Sequence, residues 1–347
     1  MRSRFVACLL AACIVMISAP RPAVASIEAD DWAAYKARFL TDAGRIVDDG
    51  NNGISHSEGQ GYGLWLAYLA GDRAGFDQIW SFTRTELMLR DDGLAMWKWD
   101  PAADPHVTDP NNATDGDILI AYALAQAGEA WQRDDLSEAA RAIAQALTST
   151  LIERGGRRLI LPGKAGYGVE DRPDGPVVNL SYWIFEAFDR LAALEPEAGW
   201  DRVSQDGVDL LDQSLFSDRQ LPPDWLSVRS RPRPAEGLPS EFGYNALRIP
   251  LYLIRAGNRD EALLRTLRDG MSDADGNLVL ASPPGGVVNE TLSDPGYRIL
   301  PALIDCVLDE TPVPKALRSF EPTLYYPSTL HLLSLSFLAE NRPECMP

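Results

Sequence analysis

From Asp31 to Glu340, apolar residues recur at three- and four-residue spacing along nearly the whole chain. Ile118, Tyr122 and Ala125 form one such series, and Ile143, Leu147 and Leu151 another. Alternation of the strand type is scarce, with Arg158-Leu-Ile-Leu161 and Asn277-Leu-Val-Leu280 as the two short candidates. This pattern constrains the fold to a mainly α architecture of successive hairpins, with about ten to twelve helices. The spacing predicts helices over 31–46, 62–83, 115–131, 136–154, 182–194, 202–216, 244–256, 260–268, 295–308 and 328–340. Gly155-Gly156, Gly257 and Gly270 serve as C-terminal stops. No Pro/Ser-rich linker divides the chain, so a single domain over residues 26–347 is expected.

Four long connections interrupt the helices, at 84–113, 155–180, 217–242 and 271–295. They are rich in Gly, Pro, Asp and Trp, and long loops in compact domains tend to carry function. Alternate helices follow polar or aromatic openings: SEGQGYG (57–63), NNATDGD (111–117), VVNLSYW (177–183) and SEFGYNALR (240–248). If the hairpins close into a ring, these helices form its inner layer, and their N-terminal ends meet at one mouth.

The N-terminus reads as an export signal. Arg2 and Arg4 precede the apolar run Phe5–Ile17, and Ala23-Val24-Ala25 is an A-x-A cleavage site. The mature chain is expected to start near Ser26 and to be secreted or periplasmic. A lipoprotein reading at Leu10–Cys13 fits less well, because the apolar run continues past Cys13. Cleavage removes three arginines and takes the net charge from −18 to −21. Such a chain has no attraction to nucleic acid. Cys306 and Cys345 remain after cleavage; an exported chain can pair them, but a buried thiol and a frayed tail fit equally well. Three scattered histidines argue against a zinc site, and no cofactor is implied.

The chemistry rests on carboxylates. Glu58 and Asp115 each sit in a first helical turn, where an acid also suits the helix dipole, with Ser57 and Thr114 as caps. Gly59, Gly61 and Gly63 carry an entropic cost in a helix start unless something approaches the backbone closely. Two acids facing each other across a groove can cleave a glycosidic bond, one donating a proton and the other activating water. Aromatic faces stack on pyranose rings, and the loops supply Trp97, Trp99, Tyr182, Tyr244 and Tyr326.

At these residues the chain resembles glycoside hydrolase family eight. The likeness rests on SEGQGYGLWLAYLAGDRAGFDQIW, LAMWKWD, DPNNATDGDILIAYAL, GPVVNLSYW, GYNALRIPLYL and LYYPSTLHLLSL, over roughly residues 50 to 340. More narrowly it is similar to bacterial cellulases encoded beside cellulose synthase, including those of rhizobia. The resemblance implies an (α/α)6 barrel with a long substrate cleft, inverting hydrolysis of β-1,4 glycans and a role beside cellulose synthesis; the exported chain is expected to be a monomer. It implies Glu58 as general acid, and Asp115 as the acid that grips and distorts the sugar. Tyr244 and Arg248 match substrate-contacting positions, and Trp99 a stacking platform. The pattern departs at Asn245, where many members carry the Asp that serves as base. An amide is no carboxylate base. Some members with Asn here, notably chitosanases, use a Glu from a nearby loop. Glu241 is therefore the first candidate, ahead of Glu236 and Asp115. Chitosan is the alternative substrate, and a glycan-binding protein without turnover is the non-enzymatic alternative.

Overall fold

The computed structural model describes residues 25–283 and 285–347; the predicted leader through Val24, with Cys8 and Cys13, lies outside them. Eleven α-helices occur among the described residues. They are α1 (Ala29–Phe39), α2 (Ser57–Leu69), α3 (Arg73–Phe82), α4 (Thr114–Trp131), α5 (Asp134–Leu147) and α6 (Phe185–Leu194), then α7 (Trp200–Asp212), α8 (Ile249–Arg255), α9 (Glu261–Met271), α10 (Pro295–Asp309) and α11 (Tyr325–Asn341). Helices α2, α4, α8 and α11 are apolar nearly all round and buried. Helices α3, α5, α7 and α9 bury one stripe and expose the other face. The packing follows from that division. Helix α2 lies against α4, α4 against α6, α6 against α8, α8 against α10, α10 against α11, and α11 again against α2. This closed inner ring of six is flanked by five outer helices, α1, α3, α5, α7 and α9, a two-layered all-helical packing.

Several predicted boundaries move for identifiable reasons. The helix expected over 62–83 is two helices, because Gly71 takes a left-handed φ of 68° between them. The helix expected to reach Arg154 stops at Leu147. Leu151–Arg154 instead pairs with Arg157–Ile160, with Leu151 opposite Ile160. Gly155 and Gly156, at φ 59° and 79°, are the two-residue turn of that hairpin rather than a helix stop. The first helix ends at Phe39, well short of Ile46. The segment 244–256 opens as a 3-10 turn, Ala246–Arg248, before α8 begins. The strand near Asn277 is present as Leu278–Ser282, paired with Val287–Leu292. Cys306 and Cys345 are joined, with their Cα atoms 6.0 Å apart.

Glycines decide how closely the first two inner helices approach. A Cβ on Gly61 would meet Leu119 Cβ at 2.5 Å, and one on Gly116 would meet Ser57 Oγ at 2.1 Å and the Glu58 amide nitrogen at 2.6 Å. On Gly63 it would meet Ile46 Cγ1 at 2.6 Å. At Gly61 and Gly116 it is thus the two helices that approach each other, and this contact sets the first turns of α2 and α4 side by side. Gly116→Ala is expected to destabilise the fold by about 1–3 kcal/mol through overpacking, read as a lower midpoint with unchanged slope in urea unfolding.

Candidate active site

The first turns of α2 and α4 present Glu58 and Asp115, and the turn ahead of α8 presents Arg248 between them. Arg248 Nη1 donates to Glu58 Oε2 at 2.5 Å, and Nη2 donates to Asp115 Oδ2 at 2.6 Å. All three side chains are largely buried, with Arg248 only 1% exposed. Two charge-assisted bonds from one planar guanidinium fix the spacing of the two carboxylates. The Arg248 guanidinium also lies 5.9 Å from the ring centres of Tyr182 and Tyr252.

Their acidities diverge. Burial pushes the Asp115 carboxyl up, and the neighbouring Glu58 charge adds to it, reaching about 8. Burial pushes Glu58 up as well, but Arg248 and then His56 outweigh it and hold Glu58 below the usual carboxylate range. Two interacting acids of this kind titrate as a pair that retains one proton at neutral pH.

The cap assignments change. His56, not Ser57, caps α2, its Nδ1 accepting from the Gly59 amide at 2.9 Å, while its Nε2 lies 3.3 Å from Asp48 Oδ2. Thr114 does not cap α4; its hydroxyl donates to the Leu161 carbonyl. Asp117 is an anchor, accepting from the Ala95 amide and from Asn112 Nδ2, and so ties the 84–113 loop to α4.

Glu58 and Arg248 form part of the wall of a cleft of about 370 Å³, together with Asp48, His56, Tyr244, Asn245, Tyr297, Tyr325 and Tyr326. Tyr326 donates to the Tyr244 carbonyl at 2.7 Å, and Tyr297 packs between the rings of Tyr244 and Tyr326. Tyr244 is 43% exposed and donates to Glu290. Asp115 is buried and does not line this cleft; Arg248 connects it to Glu58. Tyr182 packs edge-on to Trp225, which stacks on Tyr167 at 5.5 Å.

The remaining predicted residues fall elsewhere. Trp97 and Trp99 do not line this cleft. Trp97 Nε1 donates to Asp109, and Trp99 packs against His106, Arg45 and Phe82. The segment is nevertheless stitched to the site: Lys98–Trp99 pairs with Ser55–His56, and the Ser57 amide donates to the Trp97 carbonyl. Glu241 also stands outside the cleft lining, with its side chain curled against Gly243 beside Asp224. Burial, then Asp224 and Glu290, raise its carboxyl. Asn245 does face the cleft, and its Nδ2 donates to Asp224 Oδ2 at 3.1 Å.

Sequence reasoning missed His56, Asp48, Asp224, Tyr167 and Trp225. The two aromatics lie in the long loops 155–180 and 217–242, which offered a signal. Asp224 offered only its place in LPPDW.

Paired acids on helix N-termini, a shared arginine and a tyrosine-lined open cleft define a site for acid-assisted chemistry on a polyhydroxylated ligand. The comparisons agree with that class. Residues 1–270 match the model for glycosyl hydrolases family 8, and the chain belongs to that family. It is 40% identical over 228 residues to a probable endoglucanase of Novacetimonas hansenii, a match covering 65% of this chain and 66% of that protein. It thus spans just under two thirds of the length of that relative. Its fold is similar to a family 8 endoglucanase structure from Klebsiella pneumoniae, with TM-score 0.79, 33% identity, and 90% and 98% of the two chains covered. The endo-β-1,4-glucanase structure from Acetobacter xylinum is similar at TM-score 0.78 and 32% identity, covering 92% and 98%.

Arg248→Met leaves two buried acids without their cation. It is expected to cost about 3–5 kcal/mol of stability at pH 7, measured by urea unfolding against the wild type.

Proposed function

We propose that this chain is an exported endo-β-1,4-glucanase that cleaves cellulose internally with inversion at the anomeric carbon. One observation carries the reading: Arg248 ties Glu58, in the wall of an open, tyrosine-lined cleft, to the buried Asp115. Glu58 protonates the leaving glycosidic oxygen. Asp115, buried against Arg248, keeps the pair's proton available. Tyr244 and Tyr326 offer faces and hydroxyls on one side, and Tyr182 lies on the Arg248 side; Trp97 and Trp99 extend the binding surface away from the reacting bond. The endoglucanase names of the relatives support a β-glucan substrate. The chain acts on its own, as a monomer, on polysaccharide delivered by cellulose-synthesis machinery. Chitosan is the second reading, favoured by Asn245 and by the −21 charge expected after cleavage, which would draw a cationic polymer.

Assays of new reducing ends on carboxymethyl cellulose and on chitosan, side by side, decide between the substrates. Product that appears as the α-anomer by proton NMR supports inversion, and the β-anomer sinks it. Glu58→Gln is expected to lose at least about a hundredfold in kcat on the favoured polymer while keeping the wild-type circular dichroism.

The pair also fixes a pH dependence. Its shared proton is lost as pH rises through about 8, so the alkaline limb of kcat/KM lies there. In Asp115→Asn the carboxyl that holds the pair's proton up to about 8 is gone, and the remaining acid, Glu58, is held below the usual carboxylate range by Arg248 and His56. The alkaline limb of the residual activity is expected to move toward acid by about one unit or more; a limb that stays in place, or moves toward base, refutes the shared proton.

A further inference from the structure

The acid side of the reaction is well supplied here and the base side is not. Asp48 and Glu58 are the two carboxylates lining the cleft among the described residues. Glu58 is held by Arg248. Asp48 accepts from the Gly50 amide at 3.1 Å and faces His56 Nε2. The cleft residue one turn before Arg248 is Asn245, an amide with a buried acid behind it. Asp224 is 4% exposed. Its Oδ1 accepts from the Gly243 amide at 2.9 Å and the Ala246 amide at 2.8 Å, and its Oδ2 accepts from Asn245 Nδ2 at 3.1 Å. That contact determines which way the Asn245 amide faces, because a carboxylate accepts from the NH2 group and repels the carbonyl oxygen. The Asn245 Oδ1 is left without a protein donor among the described residues, on a side chain that borders the cleft.

We propose that Asn245 and Asp224 together form the water-activating group, with Asn245 Oδ1 binding the attacking water and Asp224 receiving the proton through the amide. This rests on the glucanase reading and supplies its missing half. Asn245 is the residue that touches the reacting water; Asp224 acts through it and positions it. In the step, the water oxygen bonds to the anomeric carbon as the bond from that carbon to the glycosidic oxygen breaks. Glu58 gives its proton to the departing oxygen. The water proton passes to Asn245 Oδ1, and one Nδ2 proton passes to Asp224 Oδ2, which leaves the side chain as its imidic acid tautomer. After product leaves, Asp224 returns its proton to Nδ2 and Oδ1–H releases its own to solvent. The amide is restored, and Glu58 is reprotonated from water. No oxidant, metal or co-reactant enters the balance. Glu241 sits at the outer side of the pair: a Cβ on Gly243 would meet Asp224 Oδ2 at 2.5 Å and Glu241 Oε1 at 3.1 Å.

The test compares Asp224→Asn, Asn245→Ala, Asn245→Asp, Glu241→Gln and the swapped double variant Asp224→Asn/Asn245→Asp, each checked for wild-type unfolding behaviour. Substrates are carboxymethyl cellulose and a dinitrophenyl cellobioside, whose leaving group needs no proton. The relay predicts that Asp224→Asn loses about a hundredfold or more in kcat on both substrates, with KM little changed. The swap is expected to restore kcat to within about tenfold of wild type, because it places a carboxylate base directly on the water. Rescue by the swap is not expected of an Asp224 that only accepts backbone amides. Because Asp224→Asn alone can fail to fold, Asn245→Asp is an independent check: it keeps every backbone bond to Asp224 and is expected to turn over at least as fast as wild type, whereas Asn245→Ala is not. Folded Asp224→Asn with wild-type kcat overturns the relay and leaves the glucanase reading standing. So does a loss in Glu241→Gln that matches Glu58→Gln while Asn245→Ala stays active. A wild type inert on cellulose, chitosan and the aryl glycoside overturns both readings.

Discussion

The bridge from Arg248 to Glu58 and Asp115 is the interaction on which the rest of the site depends. Its three members come from the first turns of α2 and α4 and from the turn ahead of α8, far apart in sequence, so the bridge forms only when these segments have packed together. A buried cation between two acids is costly to assemble from water and worse to leave half-made. Here the cost is offset because one planar group satisfies both carboxylates, while burial and the Glu58 charge keep Asp115 protonated. Stability and chemistry therefore draw on the same contact. The carboxylate that faces the cleft, Glu58, is held in place by the same charge that favours its ionised form.

That bridge needs α2 and α4 nearly in contact, and the glycines provide it. In the sequence, Gly59, Gly61 and Gly63 suggested that a ligand approaches the backbone. The structure gives the role to the opposing helix: Gly61 and Gly116 clear space for Leu119 and Ser57. The glycine-rich opening did mark the site, but through the geometry of helix packing. The cleft surface is built by tyrosines from the turn ahead of α8 and the first turns of α10 and α11.

How much could be read from the chain varied with the range of the physics involved. Helix existence and order were legible, because apolar periodicity records which face is buried, and α4, α10 and α11 begin within a few residues of expectation. Glu58 and Asp115 were legible as acids on helix starts. The Leu151–Ile160 hairpin was hidden, since Leu151 continues the helical spacing of Ile143 and Leu147 and only the paired Gly155-Gly156 turn separates the two outcomes. Caps were misread because Ser57 and Thr114 have the right chemistry but the wrong backbone, one inside the helix and the other turned toward Leu161. The packing of Trp99 against His106 and Arg45 is a tertiary matter that its place in the loop does not reveal. Asp224 was invisible: its partner Asn245 lies across a loop, and nothing local distinguishes it from the chain's other loop acids.

Ring closure sets an order of events along the chain. Glu58, Asp115 and Arg248 precede α11, yet α11 supplies Tyr325 and Tyr326 to the cleft and seals the ring against α2. The bond between Cys306 and Cys345 ties the tail beyond α11 back to α10. A chain threading out of a ribosome or a translocation channel thus carries its reactive side chains for most of its synthesis without a cleft to use them in. The last helix works as a built-in delay, and the molecule becomes competent only when nearly all of it has arrived.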